Sequence, residues 1–427
     1  MRAWFASLVV ALSLAVLAAG PLRADIGIVF GPSPRALDNR SLFDAETLPI
    51  WQDLQAAGVG EILLNPTFLM QSELRFAPDA AGNHPPRPQG TFLRAADIES
   101  LARLQRDLGL RISYEAGTGL SGEVCAPGLS PEERGRQAAE REFDQTLRRL
   151  QDAGITVAAL NVDGPFLRLI RGSEKRSSCA EAGTGFDIDT TVRAVQAYLG
   201  ALRDRVTAAN GGRTPDLRLV VNLPNWRLRS LPRRGGGDSV DLAEVLSAFG
   251  ALQAGSADPV TIAEVVIDYP YALVAADPTL FRDRNRHLWN ATRPINGSGP
   301  GPDFGYITNS LSYANACLDR GPRPDVAFLP FVRGGRPINK DCQQAQTGDG
   351  TPPDGKNDSD ADYLRDSLAY AAALRPGGDL SEQLVVRDGT RISSHIAHVY
   401  MQSWGLNPMR NLWFADRLQQ HLRDARP

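Results

Sequence analysis

Two rhythms of apolar and polar positions take turns along this chain. Short runs that are apolar at nearly every position recur at Ile26–Phe30, Glu61–Asn65, Arg111–Glu115, Val157–Asp163, Leu217–Asn222, Ala263–Asp268, Val326–Phe331 and Ile396–Ser403. Runs of this kind suit strands buried on both faces, as in a parallel sheet covered by helices. Between them, apolar residues return every three or four positions, as on one face of a helix. Leu101, Leu104 and Leu108 mark one such stretch; Phe143, Leu147 and Leu150 another; Val195, Tyr198, Leu199 and Leu202 a third. Eight alternations predict an α/β chain closed into a single eight-stranded β/α (TIM) barrel rather than an open sheet.

The connections sharpen this expectation. Returns from helix to strand are short and marked by glycine: Gly58-Val59-Gly60, Gly109 and Gly154. Segments leaving the strands are long: 66–94, 116–130, 164–188, 223–238, 269–304 and 332–360. Long strand-to-helix loops on one rim are where a barrel enzyme carries its working residues. One return, 376–395, is longer, and its Asp388-Gly389 pair between extended runs predicts a small hairpin. No internal repeat or second-domain linker is visible, so residues 25–427 read as one barrel domain.

The first residues read as an address. Arg2 is followed by an uncharged run from Trp4 to Ala19, then small residues and a second candidate cleavage point after Ala24. This layout predicts a signal peptide over residues 1–24, with an apolar run on the short side for a spanning helix. An uncleaved anchor is the alternative. The expected protein is therefore exported, periplasmic or secreted, and without a membrane span once the signal is removed. Hydrophobic residues make up 42% and charged residues 22%, with a net charge of −3, so nothing points to nucleic acid. The four cysteines would then meet an oxidising compartment, and the expected pairs are Cys125–Cys179 and Cys317–Cys342. Four buried thiols are the alternative. Oligomeric state is not legible.

Candidate chemistry gathers at the strand ends. Glu115 ends the third strand, Asp163 the fourth and Asp268 the sixth, so three carboxylates are expected on one rim. Glycosidic cleavage needs such a set: one carboxyl protonates the leaving oxygen, and another attacks the anomeric carbon or activates water. The bland alternative is that these acids pair with Arg168 or Arg333, or accept bonds from loop backbone. Asp163 is the expected nucleophile or base, since Gly164-Pro165 ends its strand and Asn161 points the same way. Asp268 is the expected proton donor, because Ile267, Tyr269 and Tyr271 suggest an apolar setting that would keep it protonated. Glu115 would assist as charge partner. Asn161, Asn222 and Gln402 are candidate substrate contacts. So are the aromatic residues Tyr114, Phe166, Trp226, Tyr269, Tyr271 and Trp404, since flat rings suit the C–H faces of sugars.

With the strand-end acids and Trp404 in view, the chain resembles the barrel glycoside hydrolases as a superfamily. Asp163, within Val162-Asp163-Gly164, is similar in place to the nucleophile of the retaining alpha-galactosidase and alpha-fucosidase groups. Asp268 and Trp404 are similar in place to residues of the chitinase-like group. The resemblance implies an enzyme acting on O-glycosyl bonds. The chain departs from the cellulase-like clan: its fourth strand carries Asn161-Val162-Asp163 instead of an Asn-Glu pair. The expected seventh strand, Phe328-Leu329-Pro330-Phe331-Val332, has no acid. The alternating acids of the chitinase fourth strand are also missing, and no single family is identified.

Other chemistries fit less well. The histidines, His84, His287, His395, His398 and His421, show no metal-ligand spacing with carboxylates. No Gly-x-Ser-x-Gly elbow occurs, and Gly235-Gly236-Gly237 does not open a helix as a phosphate loop would. Residues 349–362 are rich in Asp, which would suit calcium, but they lack the EF-hand spacing and its terminal Glu. They read rather as a solvated loop in which Asp358 or Ser359 caps a helix starting near Asp360; no cofactor is expected. The sequence thus predicts an exported glycoside hydrolase on an oligo- or polysaccharide. The alternative is a non-catalytic carbohydrate-binding or envelope polysaccharide-assembly protein on the same scaffold. A polysaccharide lyase, which would want a Tyr, His or Lys base beside an Arg, is weaker.

Overall fold

The structure is a computed structural model and describes residues 26–34, 36, 38–70, 92–120, 128–170, 186–228, 240–309, 359–402, 408 and 410–424. Eight parallel strands close into one barrel in chain order. They are β1 Gly27–Gly31, β2 Val59–Leu64, β3 Arg111–Ala116, β4 Val157–Asp163, β5 Asp216–Asn222, β6 Ile262–Asp268, β7 Asp303–Ile307 and β8 Ile396–Gln402. β8 closes the ring against β1, from Gly27–His398 to Gly31–Gln402. Helices cover the outside, among them Ala95–Leu108, Pro131–Glu142, Ile188–Ala209, Leu242–Gly255, Pro278–Thr292, Ser359–Leu374 and Asn411–Asp424. Their apolar stripes and the outward residues of the strands form the main core.

One strand is not where the sequence placed it. The seventh strand is Asp303–Ile307, which begins at the end of the stretch read as a loop (269–304) and runs past it, and it pairs with β6 and β8. The expected strand Val326–Phe331 lies outside the described residues. The glycine- and proline-rich approach, Asn296 to Pro302, and Gly305 in the run's centre mask the strand signal. Gly305 has a steric reason. A Cβ there would come within 1.9 Å of Glu264 Oε1 and 2.7 Å of Tyr400 Cε2. Gly305→Ala is therefore expected to cost about 1–3 kcal/mol by overpacking the barrel interior, read as a lower urea midpoint. An unchanged midpoint would show that the interior yields there.

The barrel interior is layered along the strand direction, because alternate residues point inward. Nearest the amino ends, Glu61, Arg218 and Glu264 are buried together. Arg218 Nη2 lies 3.0 Å from Glu61 Oε2, and Glu264 Oε2 accepts from Tyr400 at 3.0 Å and lies 2.8 Å from His398 Nδ1. Burial works against a charged Glu61, but the Arg218 guanidinium outweighs it and holds the carboxyl below its ordinary range. Between this layer and the mouth lies an apolar cluster of Val29, Leu63, Val220, Val266, Ile307 and Tyr400, with buried Ser113 in register with Leu63.

Several smaller expectations hold. The hairpin forms, with an antiparallel bridge from Val385 to Arg391 and Gly389 at φ +88° in its turn. The helix after the Asp-rich segment begins at Ser359. The rest of that segment and all four cysteines lie outside the described residues, as do residues 1–25. Among the described residues, no helix is long and apolar enough to cross a membrane.

Candidate functional site

Strand alternation brings one set of polar side chains to the mouth, just above the apolar cluster. Glu115, Asp163 and Asp268 are all buried there, at 4%, 7% and 7% exposure. Glu115 accepts from Asn65 Nδ2, which lies 3.0 Å from both carboxylate oxygens, and from Gln402 Nε2 at 2.9 Å. Asn65 follows β2 and Gln402 ends β8, so Glu115 is gripped from both sides. Gly31 gives Gln402 room, since a Cβ at that position would lie 2.8 Å from the Gln402 Cβ.

Asp268 is held in the same manner. Asn222 Nδ2 donates to Oδ2 at 2.9 Å, and Asn309 Nδ2 donates to Oδ1 at 2.8 Å. This corrects the environment expected for Asp268. Its neighbours Ile267 and Tyr269 belong to the opposite face of the strand, so they do not surround the carboxyl. Amide N–H donors favour the charged form of a carboxylate. Asp163 is held by charge: Arg168 Nη2 lies 2.7 Å from Oδ2, while Arg168 Nε donates to the Asp163 carbonyl at 2.9 Å. Gly164, at φ +51°, turns the chain directly into the helix Pro165–Leu169 that carries Arg168.

Asn161 lies one inward step below Asp163 on β4, in register with Glu115 on one side and Arg218 on the other. It is 1% exposed, and neither its Oδ1 nor its Nδ2 has a hydrogen-bond partner. Leaving both ends of a buried amide unsatisfied is costly, so such a group points to something absent from the protein alone. Gln402 Oε1 and Asn309 Oδ1 are likewise buried without partners.

The aromatic residues divide. Three turn away from the mouth into the layer between sheet and helices. Tyr114 donates to Glu142 at 3.0 Å, Phe166 packs edge-on to Phe249 at 5.5 Å, and Tyr269 packs on Phe281 at 5.2 Å. These placements correct the expectation that they line the pocket: each sits on the outward phase of its segment. Trp226 is also buried in the main core. Tyr271 is half-buried with its ring 5.6 Å from Tyr370. Trp404 lies outside the described residues.

Sequence reasoning missed three contributors. Asn309 was hidden because β7 was misplaced. Asn65 was visible as the polar end of the second strand, ahead of Pro66, but was not weighed. Glu142, 1% exposed, accepts from the Tyr198 hydroxyl at 2.6 Å and from the backbone N–H groups of Gly117 at 3.1 Å and Gly119 at 2.7 Å. It thereby pins the turn that follows Glu115. Burial and the Glu142 charge push the Tyr198 hydroxyl well above its ordinary pKa, so it stays a donor. A Glu on a helix face gives no sequence cue to such a role. Among the described residues, no three His, Cys, Asp or Glu side chains gather as a metal site.

No protein-family model and no curated protein sequence matches the chain. Among solved structures, it is similar to the PgaB (BpsB) glycoside hydrolase domain from Bordetella bronchiseptica, with 10% identity and a TM-score of 0.40 over 93% of this chain and 98% of that one. It is similar to PbGH5A, a glycoside hydrolase family 5 enzyme from Prevotella bryantii B14, with 12% identity and a TM-score of 0.37 over 93% and 96%. A D-psicose 3-epimerase is as near, with 13% identity and a TM-score of 0.36 over 82% and 98%. Likeness at this level carries no argument about activity; the chain's own strand pairing is what defines it as an eight-stranded β/α barrel.

Proposed function

We propose that this chain is an exported glycoside hydrolase that cleaves an oligo- or polysaccharide with the carboxylates at its barrel mouth. The observation that supports the reading is the convergence of Glu115, Asp163 and Asp268, each buried and each held by side chains from neighbouring elements. Buried acids at the carboxyl ends of barrel strands sit where barrel chemistry is done.

The arrangement suggests how the roles divide. Arg168 pairs with Asp163, and a neighbouring positive charge favours the ionised carboxylate that suits a nucleophile or base. The proton donor is Asp268 or Glu115. A bound sugar excludes water, and like-charge repulsion among carboxylates brought to one mouth favours keeping a proton on one of them. Asn161 offers a donor and an acceptor to a substrate hydroxyl from below.

The ion pair between Asp163 and Arg168 favours the second reading, a carbohydrate-binding protein on the same barrel, because it gives Asp163 a structural partner. Incubation with a panel of glycans separates the two. The hydrolase reading expects new reducing ends from at least one glycan. Binding of several glycans with no cleavage would favour the binding protein.

A further inference from the structure

Glu142 is a buried carboxylate that the proposed chemistry does not use. It ends the helix Pro131–Glu142, away from the mouth, and four neutral donors satisfy it. Oε1 accepts from the Tyr114 hydroxyl at 3.0 Å and the Gly117 N–H at 3.1 Å. Oε2 accepts from the Tyr198 hydroxyl at 2.6 Å and the Gly119 N–H at 2.7 Å. Two of these donors bracket Glu115: Tyr114 precedes it and Gly117 follows two residues later. Alternation turns Glu115 inward and Tyr114 outward, so Glu142 grips from outside the same stretch of β3 that carries Glu115 on its inner face. The Gly117 N–H also lies 2.9 Å from the Tyr198 hydroxyl, which brings the helix Ile188–Ala209 into the grip.

The same turn meets the second acid. Gly117 has φ +114°, and a Cβ there would lie 2.9 Å from the Asp163 carbonyl oxygen and 3.5 Å from Arg168 Nε. The turn that Glu142 holds therefore lies against the backbone of Asp163 and the guanidinium paired with it. Close packing supports the hold: a Cβ on Gly119 would come within 2.2 Å of the Ala138 carbonyl oxygen, and one on Gly135 within 2.2 Å of the Ala194 carbonyl oxygen. Directly after Glu142 the helix widens into a π-helix, Phe143–Leu147, a local irregularity that recurs at functional sites. Carboxylates that act together need a fixed spacing, and a misplacement of about 1 Å can cost 10²-fold in rate. We infer that Glu142 is a positioning residue: through Tyr114, Gly117 and Gly119 it sets Glu115 on β3 against Asp163 on β4. Its catalytic consequence rests on the hydrolase reading; its geometric content does not.

The test compares three variants of the full chain with wild type. Glu142→Leu removes both acceptor oxygens. Glu142→Gln keeps the shape and one carbonyl oxygen, and its –NH2 can donate to the Tyr114 hydroxyl, which can turn to accept. Tyr198→Phe removes one hydroxyl and keeps the ring. Crystal structures give the first readout. In Glu142→Leu the turn 117–120 should move by about 1 Å or more and change the separation of the Glu115 and Asp163 carboxyls, while Glu142→Gln should keep it. Kinetics on a cleaved glycan give the second. Glu142→Leu should lose about 10²-fold in kcat per folded molecule with KM within about threefold of wild type, and Glu142→Gln should recover to within about tenfold. A merely structural residue would lower the urea midpoint and leave the kcat of folded molecules unchanged. An unchanged carboxyl separation in Glu142→Leu overturns the inference, and so does a kcat within about twofold of wild type. If Glu142→Leu does not fold, Tyr198→Phe decides by the same two readouts, an unchanged separation or kcat again overturning the inference. If wild type cleaves no glycan, the hydrolase reading falls and the crystal structures alone decide. Cleavage by wild type with the acids unmoved in Glu142→Leu keeps that reading and removes the inference.

Discussion

Asp163→Asn is expected to lower turnover of the cleaved glycan by about 10²–10⁴-fold, the range a positioned acid or base contributes. The isostere removes the charge with little change in volume. Arg168 keeps its bond to the Asp163 carbonyl and is partly exposed, so the fold should persist and ligand binding should remain. The remaining acids can then be told apart. Glu115→Gln and Asp268→Asn should both slow cleavage of the natural glycan. The variant that recovers on aryl glycosides with good leaving groups identifies the proton donor, since such substrates need less protonation. Near-wild-type rates for Asp163→Asn would make Arg168 a structural partner and Glu115 the first alternative.

The largest effect on stability is expected at the opposite end of the barrel. Arg218→Met takes the buried guanidinium from Glu61 and Glu264, leaving Glu61 only the half-exposed Arg111, and should cost about 3–5 kcal/mol in chemical denaturation. Replacing Glu61 by Leu in the same chain should restore at least half of the loss, because the buried pair is then replaced whole. Acid should act through the same group. The Glu61 carboxyl lies below its unfolded range in the folded protein. Its contribution is therefore complete above about pH 5 and is lost as pH falls through the folded value. Glu61→Gln should flatten the acid limb of the stability profile. An unchanged limb would show that other carboxylates govern it.

Much of this architecture was legible because buried parallel strands leave a plain mark. Val157–Asp163 is uninterrupted apart from its polar end, and its limits were read correctly. Asp303–Ile307 escaped because the physics that makes it a strand lies elsewhere in the chain. Gly305 is required by Glu264 and Tyr400, which no local pattern can report. The error spread to the site: with β7 misplaced, Asn309 could not be matched to Asp268. Alternation correctly sent Asn161 and Asp163 to one face, yet the same rule, applied to Tyr114 and Tyr269, would have turned them outward. Counting aromatic residues near strand ends without their phase is what placed them in the pocket.

The account stands most directly on where a sugar lies in the mouth. The measurement is a crystal structure of Asp163→Asn with an uncleaved oligosaccharide. The account predicts a glycosidic oxygen about 3 Å from a carboxyl oxygen of Glu115 or Asp268, and the anomeric carbon within about 3.5 Å of the side-chain amide that takes the place of the Asp163 carboxyl. Asn161 should bond a hydroxyl of the same ring. A glycan bound away from the three strand ends, or lying across the mouth with no glycosidic oxygen near Glu115 or Asp268, would contradict it.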